Sequence, residues 1–179
     1  MFDKSDDYYN TVIENGFEQK NVTIDDIVST ELEPVYRILS SDKYKGCLGG
    51  SVSVRLFGTL YRTKEEDFHD LDFSVLRNDF SYGVQQIVID TNIRPLSKEE
   101  RKKELLERSD ELFKTTDLYK DLKEYYSDVH VKNIIYSREE DGEGLSSKCV
   151  TIEVDGFPVD MFFVEKDVFK PHVINGIRV

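Results

Sequence analysis

The sequence predicts an α+β fold: a short mixed β-sheet with helices packed mainly on one side. Two observations carry this. Helical and alternating hydrophobic patterns follow one another without the regular strand–helix rhythm of a parallel sheet. The last third is strand-rich and contains a two-residue hairpin signal, Asp155-Gly156. The 179 residues fit one domain large enough to bury a single core. Within it, residues 1–43 read as a helical N-terminal extension, 44–164 as the core and 165–179 as a C-terminal tail.

In the extension, Thr23 is a plausible N-cap before Ile24, Asp25 and Asp26. Leu32, Val35, Tyr36 and Leu39 recur at helical spacing, with Pro34 suited to a first turn. Tyr44 to Leu48 reads as a short strand, Gly49-Gly50 as a tight turn, and Ser51 to about Tyr61 as a helix with Val52, Leu56 and Leu60 on one stripe. A charged loop, Arg62 to Asp67, leads into HDLDFSVL. Its strict alternation predicts a strand with Asp70, Asp72 and Ser74 on one face and Leu71, Phe73 and Val75 on the other.

A turn at Arg77 to Gly83 and a strand from Val84 to Asp90 are expected next. Ser97 with Glu100 forms a capping box that opens a helix through about Leu112. A second helix covers Asp117 to Tyr126. Strands follow at Val129 to Tyr136, Cys149 to Val154 and Phe157 to Val164, with a polar, Gly-containing connection from Arg138 to Lys148. A small hairpin is expected around Asn175-Gly176.

Composition narrows the function. The chain is 39% hydrophobic and 34% charged, as in ordinary folded proteins, and no apolar run reaches the roughly 18 residues of a membrane span. The net charge of −12 disfavours RNA or DNA as principal partner, because phosphate backbones are held by basic stripes. Lys98 to Lys103, the densest basic stretch, is interleaved with glutamates and reads as a solvated helix face. Cys47 and Cys149 sit in apolar runs and read as buried reduced thiols, which places the chain in the cytoplasm. His69 falls on the strand face opposite the aspartates and reads as core or interface packing, while His130 and His172 lack companions at ligand spacing and read as structural.

Three carboxylates carry the chemistry. Asp70 and Asp72 project together from one strand face, where they repel unless a cation lies between them. Hard cations such as Mg2+, or Mn2+, take such oxygen ligands together with substrate phosphates. If Asp155-Gly156 is the turn, Val154 pairs with Phe157, Ile152 with Val159 and Thr151 with Asp160. Asp160 then faces away from the apolar side, beside Thr151 and Glu153, and can complete a metal-binding trio. Gly49, Gly50 and Ser51 offer close backbone approach and free N–H groups at a helix start, suited to a triphosphate. Arg62 is a further candidate to reach that phosphate.

The blocks GGSVSVRLFG and HDLDFSV, in that order, resemble the pattern of the nucleotidyltransferase superfamily with the DNA polymerase beta-like fold. VTIEVDGFPVDMFF is similar to the hairpin that presents that family's third carboxylate. The resemblance spans about Tyr44 to Val164 and looks closest to antibiotic nucleotidyltransferases and to the toxin-type enzymes of abortive-infection systems. It implies that Gly50 and Ser51 contact phosphate and that Asp70 and Asp72 bind both metals. Asp160 would bind the catalytic metal and assist deprotonation of the acceptor hydroxyl. The reaction implied moves an NMP from an NTP to a small-molecule or protein hydroxyl, releasing pyrophosphate.

Two departures stand out. The stretch from Ser51 to Asp70 is several residues longer than in many members, and the sequence closes at VINGIRV where many relatives continue into a helical substrate domain. The second motivates an alternative reading, a non-catalytic module of the same fold used for nucleotide sensing or protein assembly. A D-x-D glycosyltransferase would explain Asp70 and Asp72 but would leave the Gly-Gly-Ser helix start and Asp160 without roles, and in a haloacid dehalogenase-like phosphatase the hydroxyl position after D-x-D is taken here by Ser74 with Phe73 between. Base, acceptor and oligomeric state are open at this point.

Overall fold

A computed structural model of the chain describes residues 30–49, 70–138, 145–165, 173–174 and 177–178. The architecture is α+β, as expected. Five strands form one mixed sheet: β1 (Cys47–Gly49), β2 (Leu71–Leu76), β3 (Val129–Arg138), β4 (Leu145–Val154) and β5 (Phe157–Val164), in the order β1-β2-β5-β4-β3. Only the β2–β5 pair is parallel; the rest are antiparallel. The described helices are α1 (Glu33–Leu39), α2 (Asp79–Ile93), α3 (Lys98–Lys114) and α4 (Asp117–Lys123), with a 3-10 turn at Thr30–Leu32. A separate two-stranded ribbon pairs β6 (Val173–Ile174) with β7 (Ile177–Arg178), in the register expected of a hairpin around Asn175-Gly176.

Alternation decides the faces. In β2, Leu71, Phe73 and Val75 are buried while Asp72, Ser74 and Leu76 are partly exposed. Val150, Ile152 and Val154 of β4 and Val159, Met161 and Phe163 of β5 continue the same apolar face. The described helices cover it: α2 packs against β4 and α3 against β3. The Phe80 ring of α2 lies 5.5 Å from Phe113 of α3 and 6.3 Å from Phe163 of β5, tying both helices to the sheet.

The β4–β5 hairpin forms in the expected register, with Val154 opposite Phe157, Ile152 opposite Val159 and Thr151 opposite Asp160. Its turn has positive φ at both Asp155 (45°) and Gly156 (87°), the mirror-image turn whose twist suits a hairpin. The Asp155 N–H donates to the Asp128 carbonyl, and the Asp128 N–H donates to the Asp155 carboxylate. The turn is thereby strapped to the start of β3.

One element is not what the sequence suggested. The expected turn at Arg77 to Gly83 and strand at Val84 to Asp90 are instead the single helix α2. Val84, Ile87, Val88 and Ile89 favour strands locally. The residues that are buried, however, are Phe80, Ser81, Val84, Ile87, Val88 and Thr91, a helical stripe against the sheet and α3. Asn78 caps the helix by accepting from the Ser81 N–H, while the Ser81 hydroxyl accepts from the Asn78 N–H. The next helix opens with the expected Ser97–Glu100 box and runs two residues past Leu112.

Smaller shifts concern bounds. The first strand begins at Cys47 rather than Tyr44, since Tyr44 lies in a turn and Lys45 takes a φ of 53°. Gly49 closes that strand rather than forming a turn. The α4 helix ends at Lys123, three residues short of Tyr126, and β4 begins at Leu145, four residues before Cys149. The extension is helical over Glu33–Leu39, with Val35, Tyr36 and Leu39 buried and Pro34 in the first turn. The expected cap at Thr23 lies outside the described residues.

Tyr126 anchors α1 from a residue 91 positions further along the sequence than Val35. Its hydroxyl donates to the Glu31 carbonyl (2.8 Å) and accepts from the buried Val35 N–H (3.2 Å). Tyr126→Phe leaves that amide without its partner, and we expect a loss of about 1–3 kcal/mol in urea unfolding. An unchanged midpoint would show that water replaces the hydroxyl.

Candidate metal centre

The face of the sheet opposite the helices just described carries the acidic side chains. β2 and β5 run parallel with Asp72 directly beside Asp160. Asp70 lies immediately before β2, two residues from Asp72 and hence on the same side. Asp70, Asp72 and Asp160 each offer a carboxylate oxygen within 4.8 Å of the others, and all three are partly buried. The sequence placed these carboxylates on two separate strands; the parallel pairing brings them together.

The electrostatics of the trio are unfavourable without a counter-charge. Burial, followed by the charges of Asp70 and then Asp160, holds the Asp72 carboxyl above the usual carboxylate range. On one side of the trio, Thr151 donates its hydroxyl to Asp160 Oδ1 at 2.5 Å, fixing that carboxylate's rotamer. This bond is an addition to the sequence reading, which placed Thr151 beside Asp160 without assigning it work. On the other side, Gly49 of β1 pairs with Asp72, so the strand that leads to the glycine pair ends beside the carboxylates.

The donor set fits a hard divalent cation. Mg2+ holds oxygen ligands at about 2.1 Å, so ligand atoms on one ion lie up to roughly 4.2 Å apart. A separation within 4.8 Å needs only small rotations of the carboxylates. Glu153, two residues along β4 from Thr151, is engaged elsewhere: it pairs with Lys132 and lies 3.9 Å from His130. His130 in turn contacts Asp128 at 3.0 Å, in line with the structural role expected for it.

Of the remaining candidates, Gly50, Ser51 and Arg62 lie outside the described residues, as do His69 and His172. Cys47 and Cys149 are both buried and outside any disulfide, as expected. Cys149 shares the face of Asp160, a neighbourhood the sequence reading did not draw, although alternation from Thr151 signals it. Its thiol is pushed up to about 12, first by burial and then by the Asp160 charge, and so stays protonated. Two cavities of about 520 and 480 Å³ lie at the helical side of the sheet, and neither is lined by an aspartate of the trio.

No helix among the described residues is long and apolar enough to cross a membrane. Comparison of the chain with protein-family models, with curated proteins and with solved structures gave no match, so the reading of this centre rests on its own geometry.

Proposed function

We propose that this chain is a Mg2+- or Mn2+-dependent nucleotidyltransferase of the DNA polymerase beta-like superfamily. It would move an NMP from an NTP to a hydroxyl of a small molecule or protein, with release of pyrophosphate. The observation that carries the reading is the convergence of Asp70, Asp72 and Asp160 from two parallel strands to within 4.8 Å. A strand-borne carboxylate trio gives two-metal phosphoryl transfer the rigid oxygen ligands it needs. When bound, the cations would neutralise the phosphates and the developing charge on the attacking and leaving oxygens.

In this reading Asp70 and Asp72 hold both cations, and Asp160 holds one while accepting the proton of the acceptor hydroxyl. Thr151 keeps Asp160 oriented for that role. The triphosphate would extend towards Gly49, where β1 ends beside Asp72, and Gly50, Ser51 and Arg62 stay its further candidate contacts from the sequence. The net charge of −12 favours a small-molecule or protein acceptor over RNA, and two buried cysteines outside any disulfide favour the cytoplasm.

The test is label transfer from each α-labelled NTP to a panel of hydroxyl acceptors, read with pyrophosphate release. Transfer should require Mg2+ or Mn2+ and stop on addition of EDTA. Binding of Mg-NTP by titration calorimetry with no turnover on any acceptor would favour the non-catalytic module instead.

A further inference from the structure

The row of residues that crosses the sheet at the trio has a direction. It runs Gly49 (β1), Asp72 (β2), Asp160 (β5), Thr151 (β4), Asn133 (β3). If the triphosphate lies towards β1, in-line displacement places the attacking hydroxyl on the far side of Asp160, over β4 and β3. The next row on the same face, one side-chain repeat along β5, runs Ser74, Phe162, Cys149, Ile135. Phe162 is 40% exposed and Ile135 50% exposed, whereas Cys149 between them is fully covered.

Phe162 is therefore held roughly 7 Å along β5 from Asp160, and Ile135 continues the same row two strands over on β3, the side over which the acceptor hydroxyl is placed. Exposed single hydrophobic residues are common on protein surfaces. Here two of them share one row, bracket a buried residue, and continue the face that carries the carboxylates. The chain is strongly acidic, so this row does not suit a polyanionic strand.

Resting on the nucleotidyltransferase reading above, we infer that Phe162 and Ile135 form an apolar shelf for the body of the acceptor. That acceptor is a hydroxyl compound with an aromatic or aliphatic body, its hydroxyl directed to Asp160. The pair would then set acceptor specificity without touching the reacting atoms.

The experiment uses Mn2+ as both metal and paramagnetic reporter, with 2-phenylethanol and ethanol as probes that share a hydroxyl and differ in apolar body. Mn2+ bound by the full chain should enhance relaxation of the 2-phenylethanol ring protons, with little site-specific effect on ethanol. Ile135→Thr with Phe162→Thr keeps strand-favouring residues and should weaken 2-phenylethanol about tenfold, leaving Mn2+ affinity unchanged. The conservative pair Ile135→Val and Phe162→Leu should restore most of the effect.

Loss of ring relaxation in the Thr pair but not in the conservative pair supports the shelf. Equal relaxation of both probes, no ring relaxation in the wild type, or full retention in the Thr pair overturns it. So does a shift of oligomeric state by light scattering without any change in probe relaxation, since a second copy would then occupy the row. Failure of the underlying reading looks different: Mn2+ affinity would be unaffected by Asp72→Asn.

Discussion

On the nucleotidyltransferase proposal, Asp72→Asn should lower nucleotidyl transfer by roughly 10³-fold or more, equivalent to about 4 kcal/mol of transition-state stabilisation. Asp72 sits between Asp70 and Asp160, so its removal disrupts the ligand set from the middle. The same substitution has an opposite effect on the metal-free fold. The Asp72 carboxyl is held above its usual range by burial and by its two acidic neighbours. The folded state therefore binds that proton more readily than the unfolded chain does. The resulting stabilisation is fully present at low pH and is lost as pH rises through and above the ordinary carboxylate range.

At neutral pH in EDTA, Asp72→Asn should thus unfold at a higher temperature than the wild type. With a divalent cation the order should reverse. A cation at a hundredfold excess over its Kd adds about 2.7 kcal/mol to the wild type, roughly 5–10 °C for a chain of this size. The variant should gain little. Paired thermal melts in EDTA and in Mn2+ check both halves; a variant that melts below the wild type in EDTA and gains equally from Mn2+ would remove Asp72 from the centre.

Phe73→Ala should be the most damaging single change outside the carboxylates. Phe73 is fully buried in a central strand, flanked by Leu48 on β1 and Met161 on β5, with the Tyr36 ring at 6.3 Å. Truncating a buried phenylalanine costs about 3–5 kcal/mol, a large part of the 5–15 kcal/mol that holds a typical domain together. Because Phe73 anchors the strand that carries Asp72, metal affinity should fall along with stability. Met161→Leu, a volume-conserving change on the same face, should cost less than about 1.5 kcal/mol. Urea unfolding of both variants tests this, and a Phe73→Ala loss below about 1 kcal/mol would show that the core collapses to fill the space.

The contrast between the β4–β5 hairpin and α2 shows what local chemistry can settle. At Asp155-Gly156, the turn residues themselves demand positive φ, and the flanking alternation admits one register that keeps Ile152 and Met161 inside. Nothing distant is needed. In Val84 to Asp90, side chains that favour strands are folded into a helix. There the deciding term is the fit of Phe80, Val84, Ile87, Val88 and Thr91 against the sheet and α3. The signal was present in the spacing of those residues and in Asn78 as a cap, but propensity pointed elsewhere.

The candidate site divides the same way. The sequence by itself determined that Asp70 and Asp72 share a face, that Asp160 turns away from the core, and that Thr151 stands opposite it. Each follows from the two-residue period of a strand and the geometry of one tight turn. Only the tertiary structure decided that Asp72 and Asp160 are neighbours. That depends on β2 pairing parallel with β5 across a long stretch of intervening chain, an arrangement fixed when the apolar faces of all the strands are buried together under the helices. The same pairing placed Phe162 and Ile135 one row from the trio, a relation that no short-range pattern specifies.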